Sequence, residues 1–269
     1  MADLLKAMRM ARSTFYYWYE HLTDDKYHDA EQAIKALYHR HKGRYGYRRM
    51  TCSLRRLGHC LNHKTVQKLM QKLNLTALVR QKKYQSYKGA YGKIAPNILN
   101  RKFRATSPNQ KWVTDVTEFK VRGEKLYLSP VLDLFNGEIV AWQSGGQADQ
   151  NMMLSMLKTA CTTLKETDAP ILHSDQGWQY QMGSYQSFLQ KQGIKQSMSR
   201  KGNCLDNAVM ENFFGILKSE LFYLNDFESV EQLQHSIDEY IHYYNHDRIK
   251  LKLGGLSPVE YRTQSLLAA

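Results

Sequence analysis

Asp115, Asp175 and Glu211 are acids in local sequences that could bring them to one place, and clustered carboxylates are what hard divalent cations take as ligands. Asp115 lies inside the β-forming run Trp112-Val113-Thr114-Asp115-Val116-Thr117. Asp175 follows the short apolar run Ile171-Leu172-His173 and Ser174, and Glu211 stands in a helical stretch, with thirty-five residues between it and Asp175. Three crowded carboxylates repel one another, so a trio held ionised calls for cations, and an all-oxygen ligand set favours Mg2+ or Mn2+ over Zn2+. Two such ions supply one chemistry. One lowers the pKa of an attacking water or terminal 3′-hydroxyl, and the other stabilises the leaving oxygen of an in-line displacement at phosphorus. Taken singly, each acid has an ordinary reading: a strand Asp facing water, a turn residue before Gln176-Gly177, a solvated helix position. Among the 19 acids of residues 107–269 some suggestive triple arises by chance, so spacing alone does not decide.

The elements that would position the trio are legible in outline. Residues 112–119 are rich in β-formers, and 126–135, Asn136-Gly137 and 138–142 read as a hairpin, which predicts three antiparallel strands. A helix over about 151–165, with Asp149 near its start, precedes Pro170 and the strand that ends beside Asp175. Residues 184–192 read as a helix stopped by Gly193, 194–198 as a further strand, and 206–222 as a long helix carrying Glu211. This order matches an α/β domain of the ribonuclease H-like kind, a mixed five-stranded sheet with helices. Asn207, Glu211 and Lys218 fall at i, i+4 and i+11, near one helix face, so Lys218 could reach a phosphate beside the metals; a surface lysine is the alternative. His173 reads as a positioning or structural residue, because a metal-bound nucleophile needs no separate base. Trp178 and Tyr180 either line a cleft or pack in a core. Ser229 and Gln232 resemble a capping box ahead of Val230, Leu233, Ile237, Ile241 and Tyr244 at helical spacing, a packing helix. The tail at 245–262 reads as structural support, with Arg248, Lys250 and Lys252 as possible DNA contacts.

Charge divides the chain. Residues 1–106 hold 23 Lys and Arg against 6 Asp and Glu, a net of +17, whereas 107–269 hold 15 against 19. No acid occurs between Glu31 and Asp115, a span of 83 residues with 20 Lys and Arg. Such a field attracts a polyanion, and the interleaved Tyr45, Tyr47, Tyr84, Tyr87 and Tyr91 could lie against sugars or bases, so nucleic acid is the expected partner. A basic surface kept for solubility is the bland alternative. No run of eighteen apolar residues exists, and Asp3, Lys6 and Arg9 interrupt the start, which predicts neither a membrane span nor a secretory signal and places the chain in the cytoplasm. Cys52, Cys60, Cys161 and Cys204 form no CxxC pair, and the spacing of Cys52 and Cys60 fits no common zinc site; reduced thiols are the reading.

Within the basic part, residues 31–41 form a helix with Ile34, Leu37 and Tyr38 on one side, and a second helix near 47–57 stops at Gly58. Asn62 then caps a third, about 63–73, with Val66, Leu69, Met70 and Leu73 inward and Lys64, Gln67, Lys68 and Lys72 outward. Short helices joined by turns suit a helix-turn-helix, in which the outward side chains enter a major groove while Arg48, Arg49, Arg55 and Arg56 hold phosphates. A basic bundle without base readout fits equally well. The predicted organisation is a basic helical region at 1–80 (helix-turn-helix-like at about 30–75), a Lys- and Tyr-rich linker at 81–106, a catalytic core at 107–225, and a C-terminal helix and tail at 226–269. Residues 199–204, with Arg200 and Lys201, read as a loop that orders on DNA or is simply flexible.

Several motifs together resemble the OrfB-type DDE transposases of bacterial insertion sequences, relatives of retroviral integrases. They are Trp112 to Thr117, His173-Ser174-Asp175-Gln176-Gly177, Asp206-Asn207-Ala208 leading to Glu211-Asn212-Phe213-Phe214, and Leu217-Lys218. Tyr45-Gly46-Tyr47-Arg48-Arg49, Asn62-His63-Lys64, Asn245-His246-Asp247-Arg248 and Gly255-Leu256-Ser257-Pro258 extend the likeness over nearly the whole chain. The resemblance implies that Asp115, Asp175 and Glu211 ligate two Mg2+ or Mn2+ ions and that Lys218, seven positions after the glutamate, contacts transposon-end DNA. It also implies recognition of terminal inverted repeats, cleavage at the transposon 3′ ends, transfer of the freed 3′-hydroxyl to target DNA, a circular copied intermediate, homo-oligomers on DNA and a nucleoid location. Members are commonly joined by frameshifting to an upstream helix-turn-helix and coiled coil. Residues 1–30 carry no sustained heptads, so a partner in, or fusion to, that upstream product is expected. A ribonuclease H-like nuclease without strand transfer, or a noncatalytic DNA-binding regulator, remain the alternatives.

Overall fold

Helix ends in the N-terminal part are set by single residues. The computed structural model describes residues 5, 7, 10–20, 26–78, 95–200 and 204–267, and the chain divides into two compact units, Met1–Ala77 and Leu78–Ala269. The first carries α1 (Arg12–Glu20), α2 (His28–Arg40), α3 (Tyr47–Arg56) and α4 (His63–Lys72). Asn62 Oδ1 accepts the Lys64 N–H at 2.9 Å and so starts α4. Past α3, Gly58 takes φ +92°, which lets the His59 N–H reach the Leu54 carbonyl and the Gly58 N–H that of Arg55, the pattern that closes a helix with a left-handed residue. Ile34 and Leu37, Met50 and Leu54, and Val66, Leu69 and Met70 meet in the core of this unit.

The second unit is built on one sheet of β1 (Lys111–Thr114), β2 (Thr117–Val121), β3 (Glu124–Asp133), β4 (Ile139–Gly145), β5 (Ile171–Ser174) and β6 (Lys195–Met198). Six strands make five rows. Thr114 lies opposite Val131 and Thr117 opposite Leu128, so β1 and β2 keep one antiparallel register against β3 and form a single row interrupted at Asp115-Val116. β4 flanks β3 on its other edge, and β5 and β6 add parallel neighbours beyond β1. Three antiparallel rows followed by two parallel ones is the ribonuclease H-like order, as the sequence predicts. The β3–β4 turn closes through Gly137 at φ +73°, whose N–H bonds the Asp133 carbonyl.

Successive strand residues point to opposite faces, so Trp112 and Val113 enter different cores. Val113, Phe119, Leu128 and Leu132 pack beneath α7 (Ala208–Glu220) and α8 (Val230–His246). Trp112, Val131, Leu172 and Met198 pack beneath α5 (Gln150–Cys161) and α6 (Gly183–Lys191). A last helix, α9 (Pro258–Leu267), ends the described chain. Two helices differ from their sequence bounds. α5 stops at Cys161 rather than near 165, because the hydroxyls of Thr162 and Thr163 bond the carbonyls of Thr159 and Ala160. α7 begins at Ala208 rather than at 206, because the 3-10 turn Cys204–Asn207 precedes it. At α8, Ser229 Oγ accepts the Gln232 N–H, while the Gln232 side chain accepts from Glu228 rather than Ser229, a capping box displaced by one residue. No described helix is long and apolar enough to cross a membrane.

Candidate metal site and nucleic-acid surface

Asp115 occupies the break in the β1–β2 row, where its Oδ1 accepts the N–H of Val116 at 2.8 Å. β5 runs parallel to β1 with His173 beside Val113, and continuing that register by two residues brings Asp175 to the same sheet end as Asp115. Asp175 Oδ1 accepts the Gly177 N–H at 2.8 Å. A Cβ at Gly177 would lie 2.9 Å from that oxygen and 2.6 Å from Gln179 Nε2, so only glycine lets the chain pass so close. Glu211 stands in the first turn of α7, which Met210, Phe213, Phe214 and Leu217 press onto the sheet. At the N-cap of α7 the Asn207 amide donates to the Thr114 carbonyl at 3.4 Å and also reaches Asp115.

The electrostatics follow from this crowding. Burial and then repulsion by Asp175 push the Asp115 carboxyl well above the ordinary carboxylate range; Glu211 adds to the rise, while the Val116 N–H and the Asn207 amide oppose it. Burial raises Asp175, against the pull of the Gly177 N–H, and burial raises Glu211. Asp115 therefore feels both other acids. Among the described residues no three His, Cys, Asp or Glu side chains are drawn tightly enough to hold an ion as they stand. Two buried polar atoms beside the acids lack hydrogen-bond partners: Asn207 Oδ1, and the hydroxyl of Tyr180, which lies near enough to Asp115 and Asp175 to feel both charges. An all-oxygen set of mutually repelling carboxylates with unmet polar groups at its edge fits a hard divalent cation and its hydration.

The remaining sequence candidates separate into exposed and engaged groups. His173 is fully buried between Ser197 Oγ at 2.9 Å and the Asp206 carbonyl at 3.0 Å, and burial lowers its pKa, so it acts as a brace. Lys218 is half-buried: its Nζ donates to the Glu118 carbonyl at 3.1 Å and lies 5.1 Å from the Phe119 ring centre, and burial lowers its pKa. Arg200 is not held out for DNA, because it grips Asp206 through Nε at 3.0 Å and Nη2 at 3.1 Å. Lys201 lies outside the described residues, as do Tyr84, Tyr87 and Tyr91. Trp178 is 55% exposed beside Asp175, whereas Tyr180 is core.

In the helical unit Lys64, Gln67, Lys68 and Lys72 lie on the exposed face of α4, and Arg48, Arg55 and Arg56 are exposed on α3. Arg49 is half-buried with its guanidinium over the Tyr45 ring. Two expectations change here. Tyr45 is fully buried and stacked 3.8 Å from His41, so it packs and does not face bases. Lys72 is tied to Glu31 at 2.7 Å, which links α4 to α2. In the tail, Arg248 and Lys250 are buried, Arg248 on Glu220 and Lys250 on the Gly137 carbonyl and the Tyr244 hydroxyl, so they support the fold; Lys252 is exposed. Sequence reasoning missed Asp206 and Glu220 as the buried partners of these arginines. The only signal was an acid, Asp206, immediately ahead of Asn207 and Glu211.

Family models place this arrangement. An "Integrase core domain" matches residues 105–204, a second integrase core model matches 211–266, and an "HTH-like domain" matches 25–83. The chain is 55% identical over 266 residues to a protein of Escherichia coli K12 named as a transposase, InsK, for insertion sequence element IS150, covering 98% of this chain and 94% of that protein. It is 57% identical to an uncharacterized transposase-like protein of Haemophilus influenzae, over 77% of this chain and 95% of that one. It is 38% identical to the transposase of insertion sequence element IS904 of Lactococcus lactis, over 86% and 92%.

Proposed function

This chain belongs to the insertion-sequence transposases with an integrase core, and from that premise we propose that Asp115, Asp175 and Glu211 are the catalytic, metal-binding residues with which it cleaves transposon 3′ ends and joins them to target DNA. The observation that carries this reading is Asp115 itself, set in the break of a strand row and coupled electrostatically to both other acids. Mg2+ or Mn2+, as two ions, would activate the attacking hydroxyl and stabilise the leaving oxygen when bound. The chain's own residues hold and orient. Asp115, Asp175 and Glu211 supply the oxygens, the Asn207 amide steadies Asp115, and Gly177 leaves room for the Asp175 carboxylate. In the helical unit, Lys64, Gln67 and Lys68 of α4 enter the groove of the terminal repeats while Arg48, Arg55 and Arg56 bind phosphates. Lys72 and Arg49 contribute at the rim of that face, and Lys218 and Lys201 meet transposon-end DNA at the core. We assign 1–80 to DNA binding, 81–106 to a linker, 107–225 to the catalytic core and 226–269 to its packing tail, acting as a homo-oligomer on DNA with or without an upstream-frame partner.

The test uses labelled terminal-repeat DNA, a target duplex and Mg2+. Joined product is expected from the wild-type chain, and Glu211→Gln abolishes it while DNA binding persists. Hydrolysis without joining would favour a nuclease, and unchanged joining by Glu211→Gln would overturn the assignment.

A further inference from the structure

One carboxylate in the catalytic unit gathers far more partners than its place in a loop requires. The side chain of Asp206 is fully buried, yet it accepts from Asn97 Nδ2 at 3.0 Å, Arg101 Nε at 2.8 Å, and Arg200 through its backbone N at 3.1 Å, Nε at 3.0 Å and Nη2 at 3.1 Å. The two arginines lie at the surface, with side chains 44% and 53% exposed, so the anion is inside and its cations form the rim. A buried carboxylate met by this many donors is fixed in place, because any displacement leaves charge unpaired in a poor solvent.

Asp206 joins three pieces of the unit. Through its carbonyl it holds His173, which in turn meets Ser197. Ser197 Oγ accepts the N–H groups of Ile98 and Leu99 at 2.9 and 3.2 Å, and Leu99 is buried in the core beneath α7, so residues 96–101 form a strap lying on β6. The strap then bends through Asn100 and Arg101 at φ +42° and +60°, a left-handed conformation that costs non-glycine residues of order 1 kcal/mol or more each, and this bend delivers Arg101 to Asp206. The third piece is the start of α7. Asn207, the next residue, bonds Thr114 and reaches Asp115, and Glu211 follows four residues later.

We propose that Asp206 is a positioning residue for strand transfer: by clamping Asn97, Arg101 and Arg200 it holds the first turn of α7, and with it Asn207 and Glu211, against the Asp115 end of the sheet. The proposal rests on the reading of Asp115, Asp175 and Glu211 as metal ligands. The clamp also ties the catalytic helix to the strap by which the chain enters this unit. Arg200, whose charge invites a DNA role, serves the clamp instead.

The full chain tests this through its response to Mg2+, read both as the rise in melting temperature and as joining of terminal-repeat DNA. In Asp206→Asn, the Mg2+ concentration giving half the melting-temperature rise should increase about tenfold, the lower end of what the loss of groups that orient metal ligands costs. Binding of terminal-repeat DNA in Ca2+ should stay as in wild type. Arg101→Gln, which leaves Arg200 on Asp206, should move the Mg2+ midpoint in the same direction by less, and Arg101→Lys should restore part of it. Should Asp206→Asn fail to fold, the Arg101 pair carries the test. Tyr240→Phe removes one hydrogen bond to Glu220 near the other end of α7 and should lower the melting temperature with no change in the Mg2+ midpoint. The clamp idea is overturned if the wild-type Mg2+ response is present and Arg101→Gln and Asp206→Asn lose stability with its midpoint unmoved. A wild-type response that Glu211→Gln leaves intact would instead remove the metal-site reading, and the clamp's proposed role with it.

Discussion

Arg48, Arg55 and Arg56 of the helical unit stand exposed on α3, whereas Arg101, Arg200, Arg248 and Arg262 of the α/β unit each grip a buried carboxylate, on Asp206, Glu220 or Asp133. An exposed guanidinium keeps its water and can exchange it for a phosphate, and its worth to the fold is small. A guanidinium on a buried anion is committed. Arg248 meets Glu220 at 2.6 Å with both side chains 3% exposed, and Tyr240 adds a third bond, so removing the arginine strands a charge in the core. The difference shows why net charge locates the DNA-facing part of this chain and yet misassigns single residues such as Arg200. In the first unit charge describes a partner; in the second it describes internal joints.

Four experiments sharpen or break that contrast, beginning with the largest expected change. Asp115→Asn should reduce joining of terminal-repeat DNA by about a thousandfold or more, the scale of several kcal/mol of lost charge stabilisation, while gel-shift affinity for the same DNA holds. Next, Arg248→Met should lower the unfolding free energy of the α/β unit by about 3–5 kcal/mol in a urea titration, without a matching loss at the helical unit. An equal loss in Arg55→Met would dissolve the distinction between the two kinds of arginine. Gly177→Ala should cost about tenfold to a hundredfold in joining through displaced Asp175, since small misplacements of reacting groups carry such penalties, with DNA binding kept. The smallest is Lys64→Ala with Lys68→Ala, which should flatten the salt dependence of DNA binding by up to about 0.9 log units per lost phosphate contact and leave the melting temperature in place.

The trio also gives the metal-free protein a pH signature. Asp115, Asp175 and Glu211 have folded-state pKa values raised above their ordinary ones, so the stability they contribute is fully present when they are protonated and is lost as pH rises through the raised values. Asp206 runs the other way: its arginines hold it well below the usual range, so its contribution persists at neutral pH and fails only in strong acid. Metal-free unfolding curves should therefore show stability falling from mildly acidic toward neutral pH. Asp115→Asn should flatten that fall, and curves indistinguishable from wild type would show that the carboxylates do not repel as described.

Much of the fold could be read because its signals are local. Asn62, Gly58, Asp149 and Ser229 mark helix ends through bonds to residues a few positions away, and Asn136-Gly137 closes a hairpin through its own backbone. Helix bounds slipped where distant or competing partners intervene, as at Thr162 and Thr163 and at the turn Cys204–Asn207. Tyr45 was misjudged because exposure is a tertiary property: Tyr45 and Tyr47 differ by two positions, yet one is core and the other half-buried. The partners of Asp206 lie up to 109 residues away, a separation no periodicity records.

By itself the sequence determined the inventory: acids in a strand, at a strand end and on a helix; a basic part without acids; caps and turns in an order that permits one α/β topology. Only the tertiary structure decided which charges meet. Asp115 feels Asp175 because β1 and β5 pair in parallel in one register, and Arg248 belongs to Glu220 because α7 and the end of α8 pack on the same face. Electrostatic energy depends on distance and burial, and both are set by packing rather than by position along the chain.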